Sequence, residues 1–314
     1  MRVLFWGTPD FSVPSLRALT EEGHEVIAAV TQPDRPAGRG RALRAGAVKR
    51  ECEALGIPVL QPVRAGGEDF LRDLERLRPD VSIVVAYGQI LPGSVLSVPR
   101  HGSLNLHASL LPELRGAAPL HWAILNGHTR SGVTVMRMVR EMDAGPILYQ
   151  IPIDLAPDLT VGDLHELLSE LGAEALVEAL TLLVAGRLEE REQDEARATY
   201  APKLARADAR LDWSRPAREL ERWIRGCDPR PGAWSRLSGA GIQLFQPALE
   251  SPGETDLRLA EPGRVLQADP RSGLLVAAGT GALRIREVKP AGRSRMSSAA
   301  WIRGRGIAEG ARFE

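Results

Sequence analysis

MRVLFWGTPDFSVPSLRALTEEGHEVIAAVT, residues 1–31, reads as strand, helix, strand. Residues 3–6 are a compact apolar run ending at Gly7, the pattern of a buried strand. Pro14 suits the first turn of a helix, Leu16 and Leu19 share one helical face, and Gly23 is placed to end it. Residues 25–31, EVIAAVT, form the next strand. Two apolar strands joined by a helix make a βαβ unit with parallel pairing.

The alternation continues outward. Residues 48–55 predict a helix and 57–60 a short strand; Phe70, Leu71, Leu74 and Leu77 recur at helical spacing. Residues 81–86, VSIVVA, predict a central strand, being largely β-branched and apolar. A strand at 102–107, a helix at 117–125, strands at 133–138 and 147–153 and a long amphipathic helix at 164–184 follow. The expected fold is an open, doubly wound, mostly parallel α/β sheet over residues 1–188. Residues 189–206 are polar and read as a linker. Residues 207–314 carry a helix at 216–225 and short strands at 242–245, 274–277 and 282–288 among frequent Gly and Pro. That texture predicts a small C-terminal β-barrel, OB-like.

The 314 residues hold 40 Lys and Arg against 40 Asp and Glu, so nothing global favours a polyanion and any such partner must meet local basic patches. Cys52 and Cys227 make no disulfide framework and read as reduced thiols. The run at 3–6 is too short for a signal-peptide core, and no window approaches the roughly 20 apolar residues of a membrane span. A cytoplasmic, monomeric chain away from membranes is expected.

The chemistry gathers in GSLNLHASLLP, residues 102–112. Alternate side chains of a strand share a face, so Asn105 and His107 project to one side and Leu104 and Leu106 to the other. From spacing alone, a structural polar pair at a strand end reads the same way. The neighbourhood favours chemistry. The strand runs into a turn at its carboxyl end, where open α/β sheets bind ligands. Farther on, MDAGP (142–146) places Asp143 in a tight loop between two strands. An Asn, a His and an Asp can together serve acyl transfer to an amine. The Asn amide donates to the carbonyl oxygen as it gains charge, the His titrates near neutrality, and a carboxylate beside it stabilises its charged form. No metal and no covalent nucleophile are required.

The ordered set N-L-H-x-S-L-L-P-x-x-R-G-A-A-P (105–119) and D-A-G-P (143–146) resembles the folate-dependent formyltransferases. The likeness extends over almost the whole chain: FWGTPDF (5–11), TQPDRPAGRG (31–40), VVAYGQILP (84–92), ATYAPK (198–203) and PAGRSRM (290–296). One stretch, 43–49, lacks the proline-containing sequence usual there.

The resemblance implies a Rossmann-like formyltransferase fold and direct attack of an amine on the formyl carbon of 10-formyltetrahydrofolate, with methionyl initiator tRNA as acceptor. By the same resemblance Asn105, His107 and Asp143 are the catalytic trio. Ser109, Leu110, Leu111 and Pro112 match the folate-contacting stretch. The pterin falls to residues 86–91, including Tyr87, Gln89, Ile90 and Leu91, and to the loop 140–143, with Ile90 and Leu91 as apolar walls. The tRNA-facing loop is 33–46. Residues 34–50 hold six basic residues, Arg39 and Arg41 among them, against one acid. A second cluster at 284–305 holds seven against Glu287, which singles out Arg293 and Arg295, with Lys203 on the linker. Arginines suit phosphates and stacked bases.

Other classes fit less well. A nicotinamide dehydrogenase lacks G-x-G-x-x-G, since the first turn is Gly7-Thr8-Pro9-Asp10-Phe11. A metallohydrolase lacks H-E-x-x-H among the six histidines. A non-catalytic RNA-binding protein leaves the trio unexplained. A formyltransferase for a ribonucleotide or sugar amine shares the trio but has less need of the basic loop and C-terminal domain.

Overall fold

The computed structural model describes residues 1–37, 42–250 and 261–314. They form two compact units. One comprises Met1–Pro119, Arg130–Asp154 and His165–Ala201; the other comprises Leu120–Thr129, Leu155–Leu164 and Pro202–Glu314.

In chain order the elements up to the long helix are β1 (Arg2–Gly7), α1 (Val13–Glu21), β2 (Glu25–Val30), β3 (Arg35–Ala37), β4 (Ala42–Arg44), α2 (Ala47–Leu55), β5 (Val59–Leu60), α3 (Glu68–Leu77), β6 (Val81–Val85), α4 (Gly93–Leu96), β7 (Ser103–His107), α5 (Pro119–Leu125), β8 (Arg130–Arg137), β9 (Ile147–Asp154) and α6 (Val161–Val184). Among the described residues, the first unit is built on a seven-stranded sheet ordered β5-β2-β1-β6-β7-β8-β9. Strands β5, β2, β1, β6 and β7 are parallel; β8 runs antiparallel to β7, and β9 antiparallel to β8. Every residue of β6, and of β1 after Arg2, is buried, so both faces of the central strands are covered. The reversal at β9 follows from its connection, since residues 138–146 contain no helix and are too few for a parallel crossover. The basic stretch read as a loop contains the short antiparallel pair β3–β4.

The chain winds outward from β1 through β2 to β5 and returns to β6 on the other side of β1. The carboxyl ends of β1 and β6 are therefore a topological switch point, where such sheets bind ligands. Side chains lock this edge. Ser12 Oγ donates to the Val85 carbonyl at 2.7 Å, and Thr8 Oγ1 and Gln32 Nε2 donate to the Tyr87 carbonyl at 3.3 and 3.2 Å. Across the sheet, Gly172 lets α6 lie against β7, for a Cβ there would stand 2.5 Å from Leu106 Cδ2. This contact commits the Leu106 face of β7 to the helix and leaves the Asn105–His107 face for other work.

The second unit continues with α7 (Ala217–Cys227), β10 (Trp234–Leu237), β11 (Ala240–Leu249), β12 (Val265–Asp269), β13 (Gly273–Ala277), β14 (Ala282–Pro290), β15 (Met296–Ser297) and α8 (Ser298–Arg303). Its antiparallel sheet is ordered β10-β11-β14-β13-β12, with β15 on β14. The last residues bind both edges. Glu314 exchanges backbone hydrogen bonds with Arg236 of β10, while Gly310 donates to Val265 of β12 and Phe313 to Gly263. Phe313, 2% exposed, stacks on Trp213 at 5.6 Å between ring centroids. Its burial contributes about 1.5–3 kcal/mol. Among the described residues no helix is long and apolar enough to cross a membrane.

Cys52 and Cys227 are fully buried, and burial pushes their thiols up to about 11 and about 12. The thiolate is the reactive form, so at pH 8 neither sulfur reacts with a thiol reagent while the protein is folded. Ellman's reagent is expected to release no colour from native protein and two equivalents in denaturant. Rapid reaction of native protein contradicts this burial.

Candidate active site

Strand β7 lies between parallel β6 and antiparallel β8, with Asn105 level with Val84 and Met136 and His107 level with Thr134. His107 is 6% exposed and Asn105 is half-buried. His107 Nε2 is 2.9 Å from the Leu114 carbonyl. A carbonyl only accepts, so Nε2 carries the hydrogen. The other ring nitrogen, Nδ1, is the one free to exchange a proton. It faces Asp143 Oδ2 at 3.7 Å, an electrostatic contact longer than a hydrogen bond. The same Oδ2 accepts the Gly116 N–H at 2.8 Å. The fold thus brings Asp143 to His107, which shares a strand face with Asn105.

Its backbone is unusual. Leu114 (φ 60°) and Asp143 (φ 53°), which supply both contacts to the His107 ring, are in the left-handed region, as is Ala86 (φ 48°) just beyond β6. Few non-glycine residues adopt this region, a bulky leucine least readily. Such strain persists where the surroundings hold it, and it collects at functional sites.

The turn 109–112 is held from below. Thr134 Oγ1 donates to the Ser109 carbonyl at 2.7 Å and accepts the Leu111 N–H at 3.1 Å, while Gln150 Nε2 donates to the Leu111 carbonyl at 3.0 Å. Ser109 Oγ donates to the Glu113 carbonyl at 2.6 Å. Ser109, Leu111 and Pro112 are buried, and Leu111 packs with Met136 and Ile147; Leu110 is partly exposed.

The structure divides the stretch 86–91. Tyr87 is a core residue, edge-on to Trp6 at 5.1 Å; its hydroxyl has no partner among the described residues and is pushed up to about 12 by burial. Leu91 is buried in the same cluster, so of the two apolar walls expected here only Ile90, 91% exposed, faces solvent. Gln89 bridges three segments, donating to Gln32 Oε1 and the Val63 carbonyl and accepting the Ala65 N–H.

The basic residues fare unevenly. Arg39 and Arg41 lie outside the described residues. Lys49 is paired with Asp34 at 2.7 Å, and that hydrogen bond, followed by one from Gln61, holds the Asp34 carboxyl below its usual range. Lys203 and Arg293 are exposed. Arg295, expected to meet RNA, is occupied otherwise. Its guanidinium pairs with Asp228 at 2.6 Å and Glu287 at 2.5 Å and lies 4.0 Å over the Phe245 ring. Two carboxylates thus stand against its guanidinium.

Sequence reading passed over Thr134, Gln150 and Gln193, and gave Arg115 only as part of a motif; all four hold the turns of the site. Two concavities, of about 700 and 650 Å³, are lined around Trp213 and Phe313 and around Arg17 and Glu174; neither includes the β7 pair.

Both halves of the chain match known families. Residues 1–180 match the model described as Formyl transferase, and residues 203–306 that described as Formyl transferase, C-terminal domain. The methionyl-tRNA formyltransferase of Geobacter sulfurreducens is 44% identical over 313 residues, covering 100% of this chain and 96% of its own length. That of Thiobacillus denitrificans is 45% identical over 313 residues, covering 100% and 99%. Among solved structures, HypX from Aquifex aeolicus in complex with tetrahydrofolic acid is similar with a TM-score of 0.64, over 96% of this chain and 46% of that one. At 21% identity that likeness concerns the fold.

Proposed function

This chain belongs to the formyl transferase family, and from that membership we propose that it transfers the formyl group of 10-formyltetrahydrofolate to the α-amine of methionyl initiator tRNA, for the start of protein synthesis. The observation that carries the chemistry is His107, bonded through Nε2 to Leu114 and facing Asp143 with Nδ1 at 3.7 Å, on the same strand face as Asn105.

The folate supplies the formyl carbon. A new C–N bond forms from the α-amine to that carbon and the bond to the folate N10 breaks. The formyl oxygen gains negative charge in between, and the Asn105 amide donates to it. The amine loses a proton and the departing nitrogen needs one. His107 handles that proton at Nδ1, the atom not committed to Leu114. Asp143 faces Nδ1 and balances the charge the ring takes up. Turn 109–112 and the outward backbone of 86–91, left-handed at Ala86 and Gly88, suit a flat heterocycle with donors and acceptors on its edge. Arg39, Arg41, Lys203 and Arg293 serve the tRNA phosphates. With charged tRNA as acceptor, the protein works in the cytoplasm.

The direct test is to incubate the protein with 10-formyltetrahydrofolate and methionyl initiator tRNA, beside free methionine and an amino-sugar nucleotide. Formylation of the tRNA alone is expected. Transfer to the sugar amine with none to the tRNA overturns the acceptor, and no transfer to any amine overturns the reaction.

A further inference from the structure

Residues 191–201, in the stretch that reads as a linker, run along the site and hold both of its turns. Arg191 and Ile147 exchange backbone hydrogen bonds of 2.7 and 2.9 Å, and Arg191 Nη2 donates to Gln150 Oε1 at 2.7 Å. At the other end Thr199 Oγ1 accepts the Leu114 N–H at 2.8 Å, the Thr199 carbonyl accepts the Arg115 N–H at 2.8 Å, and Ala201 donates to the Arg115 carbonyl at 2.7 Å. Between them Gln193 joins the two turns. Its Nε2 donates to the carbonyls of Asp143 and Gly145, both at 2.8 Å. Its Oε1 accepts Nε and Nη2 of buried Arg115 at 3.1 and 2.8 Å. The guanidinium is completed by Glu195 at 2.7 Å.

This arrangement uses both hydrogens and both lone pairs of one amide. The orientation is forced, because carbonyls only accept and a guanidinium only donates. No other side chain of that length presents two donors on one atom and an acceptor on the other. The amide thus ties the left-handed Asp143 turn to Arg115, whose neighbours Leu114 and Gly116 bind His107 and the Asp143 carboxylate.

We propose that Gln193 is a positioning residue, which fixes the approach of Asp143 to His107 by clamping the Asp143–Gly145 turn onto Arg115. The inference rests on the assignment of Asp143 and His107 to formyl transfer. A misplacement of about 1 Å at reacting groups costs on the order of 10²-fold in rate. Gln193→Ala is expected to lower kcat by roughly 10–100-fold, with KM for donor and tRNA unchanged. Gln193→Glu falls at least as far, since it keeps the acceptor for Arg115 but sets a carboxylate oxygen against two carbonyls. Gln193→Met, of similar length and with no hydrogen bond to give, reads the same if the alanine variant does not fold.

The deciding measurement is a double-mutant cycle with Asp143→Ala, on protein shown by circular dichroism to be folded at the assay temperature. Gln193 acts through Asp143, so in the Asp143→Ala background Gln193→Ala adds no more than about twofold. Wild-type kcat in Gln193→Ala, or its full factor persisting in the double variant, overturns the proposal; the second result marks a general loosening. If Asp143→Ala itself turns over normally, the assignment of Asp143 falls and takes this proposal with it. If Asp143→Ala is slow and Gln193→Ala is not, only the role of Gln193 falls.

Discussion

Replacing His107 with alanine is expected to lower the turnover of formyl transfer by about 10²–10⁴-fold, the range for a positioned general acid or base, while leaving affinity for the folate donor unchanged. The argument is geometric. Nε2 is committed to the Leu114 carbonyl at 2.9 Å, so the ring has one nitrogen for the reaction and it is aimed at Asp143. Loss of the ring removes a group used as charge develops and little that holds the ground state, so the effect falls on kcat. Asn105→Ala is expected to cost about 10²–10³-fold for the loss of one oxyanion donor. Steady-state kinetics beside donor binding by fluorescence separates the two quantities. Near-normal turnover in folded His107→Ala removes His107 from the mechanism. A matched loss of donor affinity makes it a binding residue.

The second large effect comes from a single methyl group. Gly145 sits where the turn 138–146 re-enters the sheet beside β8. A Cβ at Gly145 would stand 1.9 Å from the Arg137 carbonyl oxygen and 3.0 Å from its carbon. Both are main-chain atoms of β8, whose next bond is Arg137 N–H to the Pro146 carbonyl at 2.9 Å, so no side chain can swing aside. Gly145→Ala must part the two strands at the register shift between Val135 and Met136 or push the turn outward. Either movement displaces Asp143 and breaks the bond from Gln193 to the Gly145 carbonyl. Overpacking of this kind costs about 1–3 kcal/mol of stability, and the displaced carboxylate on the order of 10²-fold in rate. Urea unfolding and the formyl-transfer rate measure the two losses. Gly241→Ala is the control, since the added methyl there meets nothing within 4 Å. A Gly145→Ala protein with wild-type stability and rate contradicts the close approach.

Much of this was legible without coordinates, because the informative signals are local. Buried strands read from runs such as VLFWG and VSIVV, whose burial on both faces leaves Ser82 as their one polar side chain, bonded to Trp6 Nε1. Alternation placed Asn105 and His107 on one face. What distance in sequence hides is different in kind. Glu190 to Ala201 has the composition of a solvated connector, and nothing in its order marks Gln193, because its three partner residues lie 48 to 78 positions away. Arg295 reads as part of a basic cluster until Asp228, 67 positions earlier, is brought against it. Tyr87 and Leu91 sit in a stretch expected to face a ligand, yet the packing of Trp6 and Val95 draws them into the core and leaves Ile90 outside.

The sequence by itself determined the order of the main strands and helices of the first unit and the residue types of the trio, since hydrophobic period and residue chemistry are written within a few neighbouring positions. Only the tertiary structure decided which His107 nitrogen is free, how Asp143 is held at φ 53° and which arginines have charge to spare. Those depend on hydrogen-bond partners supplied by distant segments, and a backbone group or guanidinium acquires its role only from the group that meets it.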